Sequence, residues 1–387
     1  MASLRNALIV GSGIAGQTLA AAFTLKGIAC DIVEIKRDWS IVGAGMYMHG
    51  NALRALAALG VVDEILERGW HRDDDTTLIA TADGRVLAQP VYPRIAGPTV
   101  PAIVTIKRQA LHEILHGLLR RLGLTVRMGV TVTAIDDRSP RGPVSVAFSD
   151  GGSGEYDLVI GADGIYSTVR RLVFGEVEAI FSGFANWRVT LPRPPAADHV
   201  MWMHGHGTTF AIVPISAEEL YLGAVSREPG NPRYAQADLA RLMQEKFRGY
   251  GGLAAVLLAQ VTDPDRVIYT AIDEVFLPAP WFRGRTVVIG DAAHASTPFW
   301  AQGASMAIED AVLLAEPAAT GAAPEAFLPA WMERRFARCV WVQQGSRETG
   351  ERSHRTGDGV RDQLDRYLMA NIETQVADRY ARLAQPI

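Results

Sequence analysis

Two cysteines, Cys30 and Cys339, stand far apart in a chain of 387 residues. They are too few for a disulfide framework or a cysteine-rich metal site, and they point to a reducing compartment, by default the cytoplasm. Charge of one sign is lacking as well: 38 basic against 42 acidic residues leave a net charge of −4. With no basic block interleaved with aromatics, nucleic acid is not an expected partner. Long apolar runs are missing too. Those present are strand-length and broken by Gly or charge, so none would span a bilayer, and the N-terminal run 7–10 is too short for a signal peptide. No internal repeat occurs, and no low-complexity tract beyond an Ala-rich linker at 317–326.

What remains is ordinary for a globular protein, with 48% hydrophobic and 21% charged residues. The length exceeds one hydrophobic core, so two or more interlocked domains are expected. Residues 7–10 read as a buried strand, 11–16 as a tight turn, 17–26 as a helix and 30–35 as a second strand, together one βαβ unit. A helix is expected over 51–68 with Asn51 as its N-cap, and another over 108–122 ending near Gly123. Strands follow at 125–135, 144–148 and 158–160. From 181 to 269 the pattern alternates, as at 209–214 and 220–225, which predicts an antiparallel sheet carrying Trp187, Trp202, Tyr221 and several histidines. A buried strand at 286–289 and a helix at 303–314 come next, then an Arg- and Glu-rich tail of helices that could serve a dimer or cap the domain. The order implies an α/β nucleotide domain with a second sheet inserted into it.

Three motifs carry chemistry. Gly11-Ser12-Gly13-Ile14-Ala15-Gly16 lies between a strand and a helix. Its glycines suit a tight turn, approach of the backbone to a pyrophosphate, and close helix–strand packing, while the helix N-terminus offers N–H groups to phosphate. Glu34 ends the second strand where an acid should bond a ribose hydroxyl. This motif alone does not separate FAD from NAD. The second motif runs from Asp157 to Gly164, delivering Asp163 at the end of a buried strand, with Ser167, Arg170 and Arg171 beyond. Asp163 can accept from a sugar hydroxyl or a backbone N–H; a plain helix cap is the alternative. In the third, residues 283–294 end a buried strand in Gly290-Asp291 and lead through Pro298 to Gln302-Gly303-Ala304-Ser305. Asp291 suits a ribityl hydroxyl, and the helix opening at Gly303 could stabilise negative charge on a flavin ring.

These motifs, in this order and at these separations, resemble those of class A flavoprotein monooxygenases of the p-hydroxybenzoate hydroxylase type, above all the salicylate- and urate-hydroxylase-like branch. The likeness covers nearly the whole chain, including Gly43-Ala44-Gly45 and Asn51-Ala52-Leu53. It implies an FAD-binding domain of Rossmann type made of 1–75, 98–180 and 268–345. It further implies a substrate-binding sheet from 76–97 and 181–267, and C-terminal helices over 346–387. FAD would be held by Gly11, Gly13, Ala15, Gly16, Glu34 and Arg37 on one side. On the other it would meet Gly45, Arg108, Val130, Asp163, Gly164, Asp291, Gly303, Ala304 and Ser305. NADH or NADPH would reduce the flavin, oxygen would add at C4a, and the hydroperoxide would hydroxylate a small aromatic or heteroaromatic ring. Two residues depart from the family pattern: Ala301 stands where Gly is usual and Ser305 where Asn is usual. The tryptophan-rich motif of flavin-dependent halogenases is absent.

On the substrate side, Tyr221 aligns with a tyrosine of the urate branch, whereas Thr209 replaces that branch's arginine, which argues against urate. Tyr221 and Arg188 are the expected catalytic residues, Arg188 as a possible anchor for a carboxylate. The pocket is expected from Tyr47, His49, Trp187, His204, Thr209, Phe210, Pro298, Phe299 and Trp300. His204 and His206 lie two apart without a third ligand, so no metal is expected. An FAD-dependent reductase or dehydrogenase, or a flavin- or ligand-binding protein without turnover, remains open at this point.

Overall fold

A computed structural model describes residues 4–39, 45–137 and 142–386. Among these, the core is a six-stranded sheet in the order Phe282–Arg283, Thr286–Val288, Leu158–Gly161, Asn6–Val10, Ala29–Glu34, Val126–Met128. Its successive neighbours from Thr286–Val288 to Val126–Met128 pair in parallel. Such strands are covered on both faces, which is why Ala7, Leu8 and Ile9, like Leu158, Val159 and Ile160, are continuously apolar and fully buried. Helix Ile14–Leu25 packs on helices Arg108–Arg121 and Gly303–Ala318. The small side chains Ala20, Ala21 and Ala22 let these helices approach.

The inserted sheet has seven strands, ordered Ile268–Glu274, Ile180–Pro192, Glu219–Arg227, Thr208–Pro214, Met201–His204, Leu78–Thr81, Val86–Ala88. All of its pairings are antiparallel except that of Met201–His204 with Leu78–Thr81. The two-residue period of a strand sorts its side chains onto two faces. Trp187, Val189, Leu191, Phe210, Ile212, Leu222 and Ala224 form one face and pack on Leu239, Met243, Phe247 and Leu257 of the following helices. The register then puts Arg188, Gly223, Ala211 and Trp202 in one row on the opposite face. Thr190, Tyr221 and Val213 form the row on one side of it, and Asn186, Val225, Thr209 and His204 the row on the other.

Several local expectations are corrected. The helix expected over 51–68 is two helices, Gly50–Ala57 and Val62–Arg68, because the chain turns at Gly60 with φ +70°. The N-cap is His49, and Asn51 lies inside the helix with its side chain buried. The strand expected over 125–135 is also two: Val126–Met128 stays in the parallel sheet and Val132–Asp136 joins a separate three-stranded sheet. Helix Gly303–Ala318 runs through Pro317 into the expected linker. The C-terminal helices are Pro324–Ser353 and Val360–Ala384. The second of them folds back, placing Leu364 and Leu368 on Ile79 and burying Tyr380 and Leu383 in the main core. Among the described residues no helix is long and apolar enough to cross a membrane.

Candidate active site

The motifs meet along the carboxyl ends of the parallel strands. Gly11 has φ +101°, and a Cβ there would lie 2.5 Å from the Ala162 carbonyl oxygen, so only glycine lets the first and second motifs touch. Gly290, at φ +61°, is pinned between Ala307 and Ala15, 3.0 and 3.4 Å from the place of its missing Cβ. This joins the third motif to the first. Glu34 accepts from Ser12 N at 2.8 Å and from Lys36 N at 3.0 Å. Val130 N donates to the Glu34 carbonyl at 2.9 Å, and exposed Arg37 lies over Gly129. Helix Ile14–Leu25 begins at Gly13 without any side-chain cap, leaving its first N–H groups for a ligand. Arg108, exposed, opens the helix Arg108–Arg121 nearby.

The two strand-ending aspartates differ. Asp163 accepts from Ser167 Oγ, and from Val169 N at 3.1 Å, so its carboxylate caps the helix Thr168–Phe174. What it leaves toward a ligand is the open backbone at Gly164. Burial raises the Asp163 pKa. Arg170 ties this segment to the third motif through a 2.9 Å bond to the Ala292 carbonyl. Asp291, by contrast, is exposed, lies 4.0 Å from the place of a Cβ on Gly303, and makes no side-chain hydrogen bond among the described residues. Ala304 and Ser305 follow on the same first turn, and the buried Ser305 Oγ lacks a partner among the described residues.

Beneath this surface runs a buried ionic network. Glu309 and Asp310 have no exposure, and neither has Arg335. Arg335 donates to Asp310 Oδ1 at 2.7 Å and Glu309 Oε2 at 2.8 Å, while Arg338 holds Glu309 through two bonds of 2.8 Å. His294 Nε2 lies 2.7 Å from Asp310 Oδ2, which also accepts from Gly290 N at 2.9 Å. Asn51 donates to Glu309 and to Gln302, at 2.9 and 3.0 Å. Burial opposes ionisation of Asp310, but His294 and Arg335 hold its pKa at about 2. Despite burial, Cys339 and Asp310 raise His294 well above its ordinary value. His294, Asp310 and Cys339 could by spacing hold a metal ion. Arg335 already supplies the cation there, donating to Asp310 and, at 3.4 Å, to Cys339 Sγ.

The site-facing side of the inserted sheet closes over an aromatic chamber. Tyr47 stacks on His49 with centroids 5.6 Å apart, and Trp202 lies 5.6 Å from Tyr47. The Tyr221 ring lies against Gly45, where a Cβ would fall 2.4 Å from Tyr221 Cδ1. Burial pushes Tyr221 up to about 12. Arg188 donates to Thr270 Oγ1 at 2.9 Å, and its buried Nε has no partner among the described residues; burial and the neighbouring charge of Arg108 lower its pKa. His49 Nδ1 is 2.6 Å from Tyr380 Oη, and burial pushes the ring down to about 3. Pro298, Phe299 and Trp300 form one turn of 3₁₀ helix: Trp300 bonds Thr349, and Phe299 packs on Phe184 and His354. The next residue, Ala301, is left-handed at φ +50°, which explains why glycine would serve there; alanine carries backbone strain of about 1–2 kcal/mol.

A profile for the FAD binding domain family matches residues 5–345. The chain belongs to that family. Over 313 residues, 80% of this chain and 79% of the relative, it is 34% identical to the 2-heptyl-3-hydroxy-4(1H)-quinolone synthase of Pseudomonas aeruginosa. Over 350 residues, 88% of each chain, it is 28% identical to 3-hydroxybenzoate 6-hydroxylase 1 of Aquipseudomonas alcaligenes. Klebsiella pneumoniae HpxO complexed with FAD and uric acid shares the fold with a TM-score of 0.88 at 24% identity, covering 99% of this chain and 97% of that one.

FAD is the cofactor of this family, and the residues present fit it. The uncapped helix start at Gly13, exposed Asp291, and the unpartnered buried oxygens of Ser12, Thr18 and Ser305 suit a long ligand rich in hydroxyl and phosphate groups. On the substrate side the geometry separates residues that were expected together. Trp187 and Phe210 lie on the far face of the sheet, fully buried against helices, and do not reach the chamber, because each is one residue out of phase with Arg188 and Thr209. Tyr47, His49, Tyr221, Arg188 and Trp300 surround it, and Thr209 pairs with His204 at its margin. Gly43 and Ala44 lie outside the described residues. Unforeseen members are Trp202, Tyr92, Arg379 and Tyr380. Trp202 could have been found from its two-residue spacing to His204, whereas the tail residues gave no local signal.

Proposed function

We propose that the protein is an FAD-dependent monooxygenase that takes electrons from NADH or NADPH and inserts one atom of molecular oxygen into a small aromatic or N-heteroaromatic ring. The observation that carries this reading is the aromatic cluster of Tyr47, Trp202 and Tyr221, packed directly against Gly45 and against Ala301 of the loop that follows Asp291. Bound FAD supplies the reduction of oxygen and its transfer to the ring. Glu34 and Asp291 would bond the ribose and ribityl hydroxyls, while the helix start at Gly13 and the side chain of Arg108 would meet the pyrophosphate. The N-terminus of Gly303–Ala318 would stabilise negative charge at the flavin edge. Tyr221, held protonated at neutral pH, donates a hydrogen bond to a phenolic oxygen, and the charge of Arg188 beside it favours the phenolate, the form that is attacked faster. The apolar walls keep water from the reacting atoms.

The test is oxygen uptake and NAD(P)H oxidation by FAD-loaded protein across phenols, aromatic carboxylates and N-heterocycles, with mass analysis of products. A ligand that speeds oxidation and gains one oxygen atom is the expected result. Stimulated oxidation with no oxygen in any product would overturn the proposal in favour of a reductase.

A further inference from the structure

Several arginines in this protein are paired with carboxylates, and buried Arg170 is served by backbone carbonyls instead. Arg188 and a pair at the far end of the chamber have no counter-charge among the described residues. Arg335 and Arg338 serve Glu309 and Asp310, Arg361 serves Asp365, and Arg347 serves Glu274. Arg379 of Val360–Ala384 and Arg352 of Pro324–Ser353 form no ion pair among the described residues. The Arg379 guanidinium lies 4.2 Å from the Trp300 ring centroid, and its Nε is buried without a partner. Arg352 lies 4.9 Å from the Tyr367 ring centroid, with one long bond of 3.4 Å to Thr349. Stacking positions a guanidinium but leaves its in-plane donors unused, and a buried charge without a counter-charge is costly. We propose that Arg379, assisted by Arg352, is the anion receptor of the substrate chamber, and that the substrate is an aromatic acid whose carboxylate it binds.

The acids of the neighbouring segments, Asp75, Glu351 and Asp365, are taken up by Arg94, Arg227 and Arg361. His49 faces the pair from the start of Gly50–Ala57, His204 from the inserted sheet, His354 and Arg361 from the C-terminal segments, and Tyr92 and Tyr380 close the remaining side. Arg361 is already committed to Asp365. Burial, followed by the charge of Arg379, keeps His49 uncharged; burial, then Arg361, His354 and Arg352, does the same for His204. Among the described residues each ring keeps one buried nitrogen unpaired, His49 Nε2 and His204 Nδ1, available to a polar ligand but adding no competing anion.

The pair is continuous with the chamber. Trp300 leads into Ala301, which packs on the cluster of Tyr47 and Tyr221. Trp202 touches Tyr47 and also packs into the cluster that contains Tyr367. Arg188 stands elsewhere, beside Arg108 at the start of a helix facing the cofactor motifs and bonded to Thr270. Carboxylate recognition is therefore assigned to the C-terminal helix, and Arg188 is left to the reacting end of the ring. The inference rests on the monooxygenase reading only in calling the ligand a substrate.

Binding to the FAD-loaded protein, read from the flavin absorbance change, separates the two. Salicylate and 3-hydroxybenzoate are titrated against salicylamide and 3-hydroxybenzamide, which keep ring and phenol but lose the charge. The acids should bind roughly tenfold or more tightly than the amides. Arg379→Met should bring the ratio to about one, Arg379→Lys should restore part of it, and Arg352→Met should lower it less. Circular dichroism and flavin content confirm that each variant is folded. Equal binding of acid and amide by the parent protein, or an unchanged ratio in folded Arg379→Met, overturns the proposal. So does a raised Michaelis constant for NADH or NADPH with the acid preference intact, which would give the pair to the dinucleotide's phosphates. Acid preference without oxygen insertion would sink the monooxygenase reading and leave the receptor standing.

Discussion

Two regions of this molecule bury polar and charged groups, and they treat them in opposite ways. In the ionic network beneath the motifs both carboxylates are matched: Glu309 accepts four hydrogen bonds and Asp310 four, from Asn51, Arg335, Arg338, His294, Gly290 and Cys339. Across the chamber, Tyr47 Oη, His49 Nε2, Arg188 Nε, His204 Nδ1 and Arg379 Nε are buried and unmatched among the described residues. Satisfied networks fix one arrangement of the chain, whereas an orphaned buried polar group destabilises the ligand-free protein and is retained where something else completes it. The first region holds the fold, and the second is shaped for a ligand.

The largest effect should follow from breaking the matched side. Arg335→Met leaves Glu309 and Asp310 short of a buried cation, at a cost of about 3–5 kcal/mol, enough to lower the melting temperature by on the order of 10 °C. The network positions Gly290 through Asp310, so FAD content should fall as well. Arg379→Met, made on the unmatched side, should melt within a few degrees of the parent. Scanning calorimetry of both variants decides the matter; equal losses would erase the distinction between the regions.

A smaller effect sharpens the same contrast within one sheet. Trp187 has no exposure, its ring packs among Tyr234, Tyr269 and Phe247, and its Nε1 donates to Ser226 at 3.0 Å. Trp187→Leu should cost about 2–4 kcal/mol in chemical denaturation while leaving aromatic ligand affinity nearly unchanged. Trp202, on the opposite face, should behave in reverse. Trp202→Leu should lose about 1 kcal/mol of stability or less and weaken aromatic ligands by roughly tenfold, as lost stacking against Tyr47 predicts. If Trp187→Leu altered binding more than Trp202→Leu, the assignment of faces would be wrong.

That contrast also marks what was legible in the sequence. Strand, turn and helix at 6–25 follow local periods, and Gly11, Gly290 and Asp291 lie on strand ends that those periods locate. Phase is local too, yet aromatic character drew Trp187 and Phe210 toward the ligand although their register sends them into the core. Asn51 looks like a helix cap because caps are recognised by neighbours in sequence. Its real partners, Gln302 and Glu309, are 251 and 258 residues away. Arg379 and Tyr380 were hidden for the same reason: a helical tail shows which of its faces is apolar, but not that it folds back to meet His49. Long-range pairing lies beyond what local pattern encodes.

The two regions should also answer pH in opposite senses, and this is the smallest effect. Burial holds native His204 at about 3, whereas the unfolded chain protonates it near 6.5. Below that point unfolding takes up a proton which the native state refuses, so stability is lost as pH falls. Between pH 6.5 and 5.5 this amounts to about 1 kcal/mol for one histidine. His294 is raised instead, so its contribution is fully present below about pH 6.5 and is lost only as pH rises through its native value. Denaturant unfolding at pH 6.5 and 5.5 should therefore show His204→Gln losing about 1 kcal/mol less than the parent. His294→Gln should keep at least the parent's slope over that interval. If His204→Gln and the parent lost the same amount, His204 would be charged in the native chamber, and the neutral lining assigned around Arg379 would fail with it.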